Sequence, residues 1–286
     1  MSSARRKRKP TETVRDIYRT LARAWGPQHW WPAESPLEVI VGAILTQNTA
    51  WTNVEKAIAN LRAVGVLDFR GIRDLPLAEL ELLIRSSGYF RQKAARLKDF
   101  VAFLDTEYSG SEDAMLATPT PRLRELLLAR KGIGPETADS ILLYAGQHPI
   151  FVVDAYTRRV LERHDAVASD ADYDDVRELV QGALLREQPP PGGASIPLHE
   201  ERPQVHPPSP MSKASRPELA QVYNEMHGLF VQLGKNYCSK SAPKCVQCPL
   251  GDMLTHPVRD PIPNRARSVA SRAKRQASKA AAKPRV

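Results

Sequence analysis

An aspartate before a predicted helix has the surroundings that suit a catalytic carboxylate. Asp154 follows the apolar run of residues 150–153 and precedes a predicted helix over residues 155–164, so it would take the N-cap position. A buried segment would then hold the carboxylate at a cleft wall, where it could stabilise a developing cation or orient a water molecule. Helix capping alone is the competing interpretation, since Asp is a preferred cap residue.

A glycine-bearing turn lies upstream of this aspartate. Lys131-Gly132-Ile133-Gly134 separates two predicted helices, and Pro135 fits the first position of the second helix. Two glycines permit positive φ angles in a tight turn, while Ile133 can anchor the turn in the core. The backbone N–H groups of the turn and of the helix start would then bind an anion such as a DNA phosphate. A plain connection between two helices is the alternative.

Three cysteines are clustered late in the chain, at Cys238, Cys245 and Cys248. An odd, crowded set in a chain of 286 residues does not predict a disulfide framework. It indicates metal ligation in a reducing compartment, and we therefore expect a cytoplasmic protein. The first residues lack the apolar stretch of a secretory signal, and no apolar run approaches the roughly 20 residues of a membrane span.

The basic charge is concentrated at the two ends of the chain. Residues 1–10 contain five Lys or Arg and residues 261–286 contain eight, with no acid in either segment. Subtracting these thirteen charges from the net +9 leaves −4 for residues 11–260. We expect a basic arm over residues 1–10 and a basic tail over residues 258–286, which attract a polyanion without reading sequence. Solubilising tails are the plainer alternative.

The body of the chain shows apolar residues at helical spacing, and no alternating strand pattern competes. The predicted helices cover residues 11–25, 36–45, 52–64, 76–84, 92–104, 121–130, 135–145, 155–164, 173–185 and 217–233. An all-α fold is therefore predicted. Residues 188–216 contain eight prolines and predict an exposed, disordered insert. This insert divides the helical body into residues 11–187 and 217–257.

Taken together, these motifs resemble the signature of one enzyme family. The matching residues are Gly132, Ile133, Gly134, Thr137, Ala138, Asp139, Gly146, Pro149, Asp154, Arg158 and Arg159. Their order is similar to the hairpin–Gly/Pro–Asp signature of the endonuclease III-like, helix-hairpin-helix (HhH-GPD) DNA glycosylase superfamily. The resemblance spans about residues 12–255 apart from the insert. It implies a two-lobed helical fold, with about residues 36–150 in one lobe and the N- and C-terminal segments of the body in the other.

The resemblance also implies roles for individual residues. Asp154 would be catalytic, and the turn at residues 131–134 would bind DNA. Residues 44–49 resemble the family's early helix-end motif, in which a glutamine fills the gap left by an extruded base. That glutamine is Gln47, with Asn48 beside it. The tryptophans at positions 30, 31 and 51 could stack on a flipped base, although buried aromatics are the default interpretation.

Glu136 marks one departure from the family pattern. Members that also cleave the strand carry a lysine here, whose amine attacks the sugar C1′ and forms a Schiff base. A glutamate cannot form that imine, so we expect a monofunctional enzyme in which water is the nucleophile. The sequence of residues 134–139 is similar to that of relatives that remove alkylated purines. Nearby Lys131 is interpreted as a surface lysine facing phosphate, and Asp139 as either a surface acid or a second pocket carboxylate.

The cysteine loop is the second departure. The family pattern has a fourth cysteine, and Leu254 stands in its place. A four-iron cluster normally takes four cysteine ligands, so Asp252, His256 or an exogenous ligand would complete a [4Fe-4S] site on the three cysteines. Zinc held by three cysteines and His256 is an alternative, as is a site without metal. Any cluster would be structural and would shape a lysine-rich loop for phosphate contact.

The resemblance thus implies a DNA N-glycosylase of base excision repair. Its partner would be double-stranded DNA containing a damaged or mismatched base. We expect the enzyme to be a monomer that does not associate with a membrane. One alternative is a bifunctional endonuclease III-type DNA glycosylase/AP lyase that uses another amine. The alternative from a different class is a non-catalytic helix-hairpin-helix DNA-binding module, which would not need Asp154. A zinc-ribbon regulator would explain the cysteines but nothing at residues 131–154.

Overall fold

The computed structural model describes residues 8–190 and 207–255, and α-helices dominate these two stretches. The helices are α1 (Pro10–Trp25), α2 (Pro36–Leu45), α3 (Trp51–Ala63), α4 (Phe69–Asp74), α5 (Leu77–Leu83), α6 (Phe90–Tyr108), α7 (Glu112–Leu116), α8 (Thr120–Leu128), α9 (Pro135–Ser140), α10 (Ala155–Arg163), α11 (Tyr173–Leu184), α12 (Pro210–Lys213) and α13 (Glu218–Asn236). No strand occurs in the described stretches, so the predicted all-α class is confirmed. Most of the basic arm, the centre of the insert and the basic tail lie outside them.

Side-chain caps determine where several helices begin. Ser35, Asp68, Ser111 and Asp154 each accept a hydrogen bond from the backbone N–H three residues further on. Such caps satisfy N–H groups at the helix start and contribute about 0.5–2 kcal/mol each. Helix α10 therefore begins where the sequence predicts, with Asp154 as its cap.

The remaining differences from the predicted helices are local. Three short helices, α4, α7 and α12, were not predicted, because four to six residues are too few to establish a helical period. The segment predicted as one helix over residues 135–145 begins as α9 and continues from Ile141 to Ala145 as a π-helical turn.

The helices pack in two groups, as a two-lobed fold requires. Helices α1, α10, α11 and α13 contact one another, while α2 to α9 form the second group. The π-helical turn after α9 packs against both α2 and α13, so it joins the two groups. No helix within residues 8–190 and 207–255 has the length and apolar character to cross a membrane.

Helix α2 lies at the centre of the core. Every residue of it after Pro36 is buried, and burying each large aliphatic side chain contributes roughly 1.5–3 kcal/mol. Truncation of the fully buried Ile44 to alanine would cost about 2–5 kcal/mol. Because α2 ends at Leu45, this buried helix positions Gln47 next to Arg96 of α6 and Thr137 of α9.

The last part of the predicted insert is ordered. Ser209 caps α12, and its Oγ accepts a hydrogen bond from the backbone N–H of Ala33 (3.2 Å). The buried Met211 donates its backbone N–H to the carbonyl of Ala33 (3.1 Å). The prediction of disorder is therefore wrong for residues 207–216, because Ser209 supplies a cap and Met211 an apolar anchor. Residues 191–206 of the insert lie outside the described residues.

Candidate active site

Asp154 stands at the start of α10, after a segment that is almost completely buried. Its Oδ1 accepts a hydrogen bond from the backbone N–H of Thr157 (2.7 Å). Its Oδ2 lies 3.6 Å from Nε2 of His227. One carboxylate oxygen is thus fixed by the helix, and the other faces an imidazole from α13.

His227 and Tyr144 are buried beside this carboxylate, with ring centroids 5.7 Å apart. Burial lowers the pKa of His227, and the charge of Asp154 acts in the opposite direction. Burial also raises the pKa of Tyr144, and Asp154 adds to that rise. Both rings are therefore neutral at pH 7 and act on Asp154 as dipoles.

Two tryptophans continue this aromatic wall. Trp30 lies 6.0 Å from the ring of His227, and Trp31 lies 5.0 Å from the ring of Tyr144. Trp51 packs edge-on behind Trp31 at 4.9 Å, and both rings lie against Gly42, where a Cβ atom would meet Trp31 at 3.2 Å. Trp30 and Trp31 therefore belong to the surroundings of Asp154, whereas Trp51 supports Trp31.

Glu136 lies exposed in the first turn of α9, within electrostatic range of Asp154. Desolvation by the surrounding protein raises the pKa of Glu136 to about 7, and the negative charge of Asp154 contributes in the same direction. Arg158 acts in the opposite direction. The two carboxylates are therefore close enough for the charge of Asp154 to act on Glu136.

Lys235, at the end of α13, is a cation that lies beside this wall. Its Nζ lies 5.8 Å from the ring centroid of Trp30. Desolvation lowers the pKa of Lys235, while Glu55 and Asp154 raise it. Lys235 therefore lies within the electrostatic range of Asp154.

The turn before α9 has part of the geometry that the sequence predicts, because Gly134 has an ordinary φ of −93°. Gly132 has a φ of 82°, which favours glycine, and Ile133 is buried. Gly134 is the N-cap of α9 and Pro135 is its first residue. Lys131 is exposed, so the turn presents a cation to solvent, while the N–H of Ile133 donates to the carbonyl of Arg130 (3.1 Å).

Gln47 is bound to this turn rather than projecting freely. Its Nε2 donates to the carbonyl of Gly132 (3.0 Å) and to Oγ1 of Thr137 (2.8 Å). Its Oε1 accepts a hydrogen bond from Nη1 of Arg96. The neighbouring Asn48 is exposed and has a φ of 54°. The structure therefore brings the end of α2 and the hairpin turn together at one surface.

Asp139 and His148 have structural roles away from this cleft. Asp139 is fully buried and accepts two hydrogen bonds from Arg124 (2.7 and 3.2 Å), so it is neither a surface acid nor a pocket carboxylate. Burial raises its pKa and Arg124 opposes that rise. His148 links Thr120 Oγ1 (2.8 Å) to the carbonyl of Leu116 (2.9 Å).

The three cysteines line one small cavity next to the end of α10. The cavity is lined by Arg163, His164, Leu233, Tyr237, Cys238, Cys245, Cys248, Leu250 and Leu254. Nη1 of Arg163 donates to Sγ of Cys238 (3.0 Å). Within the described stretches, no three His, Cys, Asp or Glu side chains converge on the position of a single metal ion. Asp252 is exposed, and His256 lies outside the described residues.

His227, Tyr144 and Arg96 complete the site and were not predicted as functional. His227 belongs to a long buried run of α13, so its sequence context is that of a core residue. The signal that could have found it is a polar ring within an otherwise apolar helix face, but its partner Asp154 is distant in sequence. Arg96 carries no such signal, because the sequence does not distinguish it from Arg91, which is exposed on the same helix.

Comparisons with known proteins agree with this geometry. A sequence profile of the HhH-GPD superfamily of base excision DNA repair proteins matches residues 41–184. A Methanocaldococcus jannaschii protein classed as a DNA repair glycosylase (MJ1434) is 38% identical over 240 residues, which are 84% of this chain and 94% of that protein. Endonuclease III of Thermotoga maritima is 28% identical over 153 residues, covering 52% of this chain and 65% of that protein.

Solved structures show the same fold. The H. pylori 3-methyladenine DNA glycosylase MagIII bound to 1,N6-ethenoadenine superposes with a TM-score of 0.60 at 27% identity, covering 80% of this chain and 98% of that one. A trapped endonuclease III–DNA covalent intermediate gives a TM-score of 0.63 at 21% identity, covering 86% and 95%. The chain therefore belongs to the HhH-GPD superfamily of base excision DNA repair proteins and is a DNA glycosylase.

Proposed function

We propose that this enzyme is a monofunctional DNA N-glycosylase, which hydrolyses the bond between a flipped base and its deoxyribose with water as the nucleophile. The observation that carries this proposal is that two carboxylates, Asp154 and Glu136, lie within electrostatic range of each other. Glu136 stands at the position where the resemblance places the lysine of strand-cleaving members. Without an amine at that position, the family's imine cannot form there.

Asp154 is proposed to stabilise the positive charge that develops on the sugar as the base departs. Its Oδ1 is already bound by the helix N-terminus, and its Oδ2 faces the neutral His227. A carboxylate held in a fixed position needs little reorganisation when charge develops nearby, and such preorganised groups are the largest contributors to many rate enhancements.

Glu136 is proposed to accept the proton of the attacking water. The water oxygen bonds to C1′, its proton passes to the Glu136 carboxylate, and the departing base takes the electron pair of the glycosidic bond. A base with a pKa of about 7 suits this task, because general base catalysis is most efficient near the operating pH.

The aromatic wall indicates a substrate class. Trp30 is partly exposed and packs against the buried Trp31, and aromatic faces bind cationic rings through cation–π attraction. An alkylated purine that carries a positive charge combines a flat ring with that charge. The similarity to a 3-methyladenine DNA glycosylase supports the same class, so we propose alkylated purines as substrates.

The hairpin turn, Gln47 and Asn48 are proposed to hold the DNA. The backbone donors after Gly132 would bind a phosphate, and exposed Lys131 would add charge. Gln47 would release its hydrogen bonds to Gly132 and Thr137, and its side chain would then fill the space left by the flipped base.

The cysteine loop is proposed to hold a [4Fe-4S] cluster through Cys238, Cys245 and Cys248. The three thiols surround one cavity but do not converge on one point. A single zinc ion needs ligands that converge on it, whereas the thiolates of a [4Fe-4S] cluster bind different irons. The arrangement therefore fits a cluster better than it fits zinc. The positive charge of Arg163, which lies beside Cys238, would stabilise the negative charge of the cluster thiolates. A bound cluster would contribute shape and stability to the loop, with no part in breaking the glycosidic bond.

A panel of duplex oligonucleotides tests the proposed reaction. Each would carry one lesion: 3-methyladenine, an oxidised pyrimidine, uracil or a thymine mismatch. We expect base release from the alkylated duplex, with strand breaks only after alkali treatment. Breaks without alkali would contradict the monofunctional mechanism, and release confined to another lesion would contradict the substrate class.

A second candidate is a glycosylase/AP lyase that uses Lys235 as its amine. The proximity of Lys235 to Trp30 and its lowered pKa favour this alternative, since a less protonated amine is a better nucleophile. Borohydride reduction on abasic DNA distinguishes the two. A covalent product that disappears in Lys235→Gln would support the lyase, whereas the water mechanism predicts no covalent product in either protein.

A further inference from the structure

His164 is a buried histidine that the proposed reaction does not use. It lines the same cavity as Cys238, Cys245, Cys248 and Leu254. Only 7% of its surface is exposed, and its Nδ1 has no hydrogen-bond partner among the described residues. A buried polar nitrogen without a partner costs free energy and calls for an explanation.

The backbone fixes the direction in which His164 leaves the helix. His164 is the C-cap of α10, and Asp165 follows with a φ of 55°. The N–H of Ala166 donates to the carbonyl of Leu161 (2.9 Å), and the N–H of Asp165 donates to that of Glu162 (3.1 Å). These two bonds form a Schellman motif, which satisfies the last helix carbonyls and holds His164 in one orientation.

The residues on either side of His164 are bound to the two ends of the cysteine loop. Arg163 donates to Sγ of Cys238 (3.0 Å) and to the carbonyl of Ser239 (2.8 Å). The hydroxyl of Thr255 donates to Oδ2 of Asp165. His164 therefore lies between the attachment of the first cysteine and the attachment next to Leu254, which replaces the family's fourth cysteine.

We propose that His164 is the fourth ligand of the cluster, supplied by α10 in place of the cysteine that is absent at position 254. This inference rests on the proposed cluster. Histidine is a known ligand of protein iron–sulfur centres, as in Rieske proteins. Of the two candidates that the sequence suggested, Asp252 is exposed and fits less well. His256 lies outside the described residues, and the variants below distinguish it from His164.

Pulsed EPR of the full chain tests this ligation directly. The protein would be purified without oxygen, reduced with dithionite and compared with protein labelled with 15N-histidine. We expect iron and sulfide at the stoichiometry of a [4Fe-4S] cluster, together with a strong 14N coupling that the label converts to 15N. His164→Ala should lose that coupling and retain less iron. A merely structural histidine would not produce this signal.

Two sets of variants keep the test decisive if His164→Ala loses its cluster. His164→Ala/Leu254→Cys should regain iron without regaining the 14N coupling, whereas Asp252→Ala and His256→Ala should keep both. A wild-type cluster without 14N coupling would overturn the proposal, and so would a coupling that disappears in His256→Ala. A wild-type protein that assembles no cluster, even after chemical reconstitution, would overturn it together with the cluster itself. Base release measured on the same samples shows independently whether the proposed glycosylase function stands.

Discussion

Helix α10 has Asp154 as its N-cap and His164 as its C-cap, about 15 Å apart at roughly 1.5 Å per residue, and the two ends differ in their surroundings. At the first end, one carboxylate both caps the helix and faces aromatic rings and a second carboxylate. At the other end, the helix closes with a Schellman motif and is bound to the cysteine loop.

This difference shows what each end requires of the sequence. Capping and charge stabilisation both call for the Asp154 carboxylate, so another side chain cannot easily replace it. The loop end requires only that donors surround one cavity, and a helix residue can serve there as well as a loop residue. We therefore expect changes at the first end to affect the rate of base release and changes at the second to affect stability.

Asp154→Asn should produce the largest effect. We expect base release to fall by about 10³-fold, because an amide retains the cap but not the negative charge that stabilises the developing cation. Single-turnover kinetics on a lesion-bearing duplex would measure this. Asp172→Asn is the matched control, since Asp172 is the N-cap of α11 without a side-chain capping bond. If Asp154→Asn released the base at the wild-type rate, Asp154 would not be the catalytic carboxylate.

Glu136→Gln should follow, with a loss of about 10²-fold typical of a general base. The pKa of Glu136 is raised to about 7, and the proposed role needs the deprotonated form. The wild-type rate should therefore rise as pH increases through 7 and then level, and the variant should lose that rise. The control is Glu125→Gln, because Glu125 is an exposed residue of α8. A wild-type rate that falls above pH 7 would instead identify Glu136 as a proton donor.

Arg163→Ala changes the other end of α10. It removes hydrogen bonds to Cys238 and Ser239, and we expect a loss of about 1–3 kcal/mol in unfolding free energy from the groups left without partners. Base release at a temperature where the protein stays folded should change less than twofold. Chemical denaturation and the lesion assay measure the two quantities, with exposed Arg186→Ala as the control. A rate loss as large as that of Glu136→Gln would contradict the separation of the two ends.

The sequence predicts the first end of α10 well because its signals are local. An apolar run, an Asp at a helix start and a Gly-x-Gly turn lie within about 25 residues of one another, and each has a direct structural meaning. The turn geometry at Gly132 and the cap at Asp154 therefore match the expectation. The all-α fold follows from helical periodicity in the same way.

Partners that are distant in the chain could not be predicted. His227 meets Asp154 only through the packing of α13 on α10, and Arg124 turns Asp139 from a surface acid into half of a buried ion pair. His164 lies outside the cysteine run, so spacing alone directs attention to His256 instead. The order at residues 207–216 depends on Ala33, which a proline count does not reveal.

Thr255→Val is the smallest and most specific test of the loop end. It removes the hydroxyl that donates to Asp165 while keeping the size of the side chain, and we expect a loss of about 0.5–1.5 kcal/mol, typical of one hydrogen bond. Because this bond holds the segment after Leu254 to the end of α10, its loss should also broaden the cluster's EPR signal without changing base release. Thr255→Ser keeps the hydroxyl and should behave as wild type in both measurements. If Thr255→Val slowed base release while stability stayed unchanged, the loop end would have to act on Asp154 through α10, and the two ends could no longer be treated as independent.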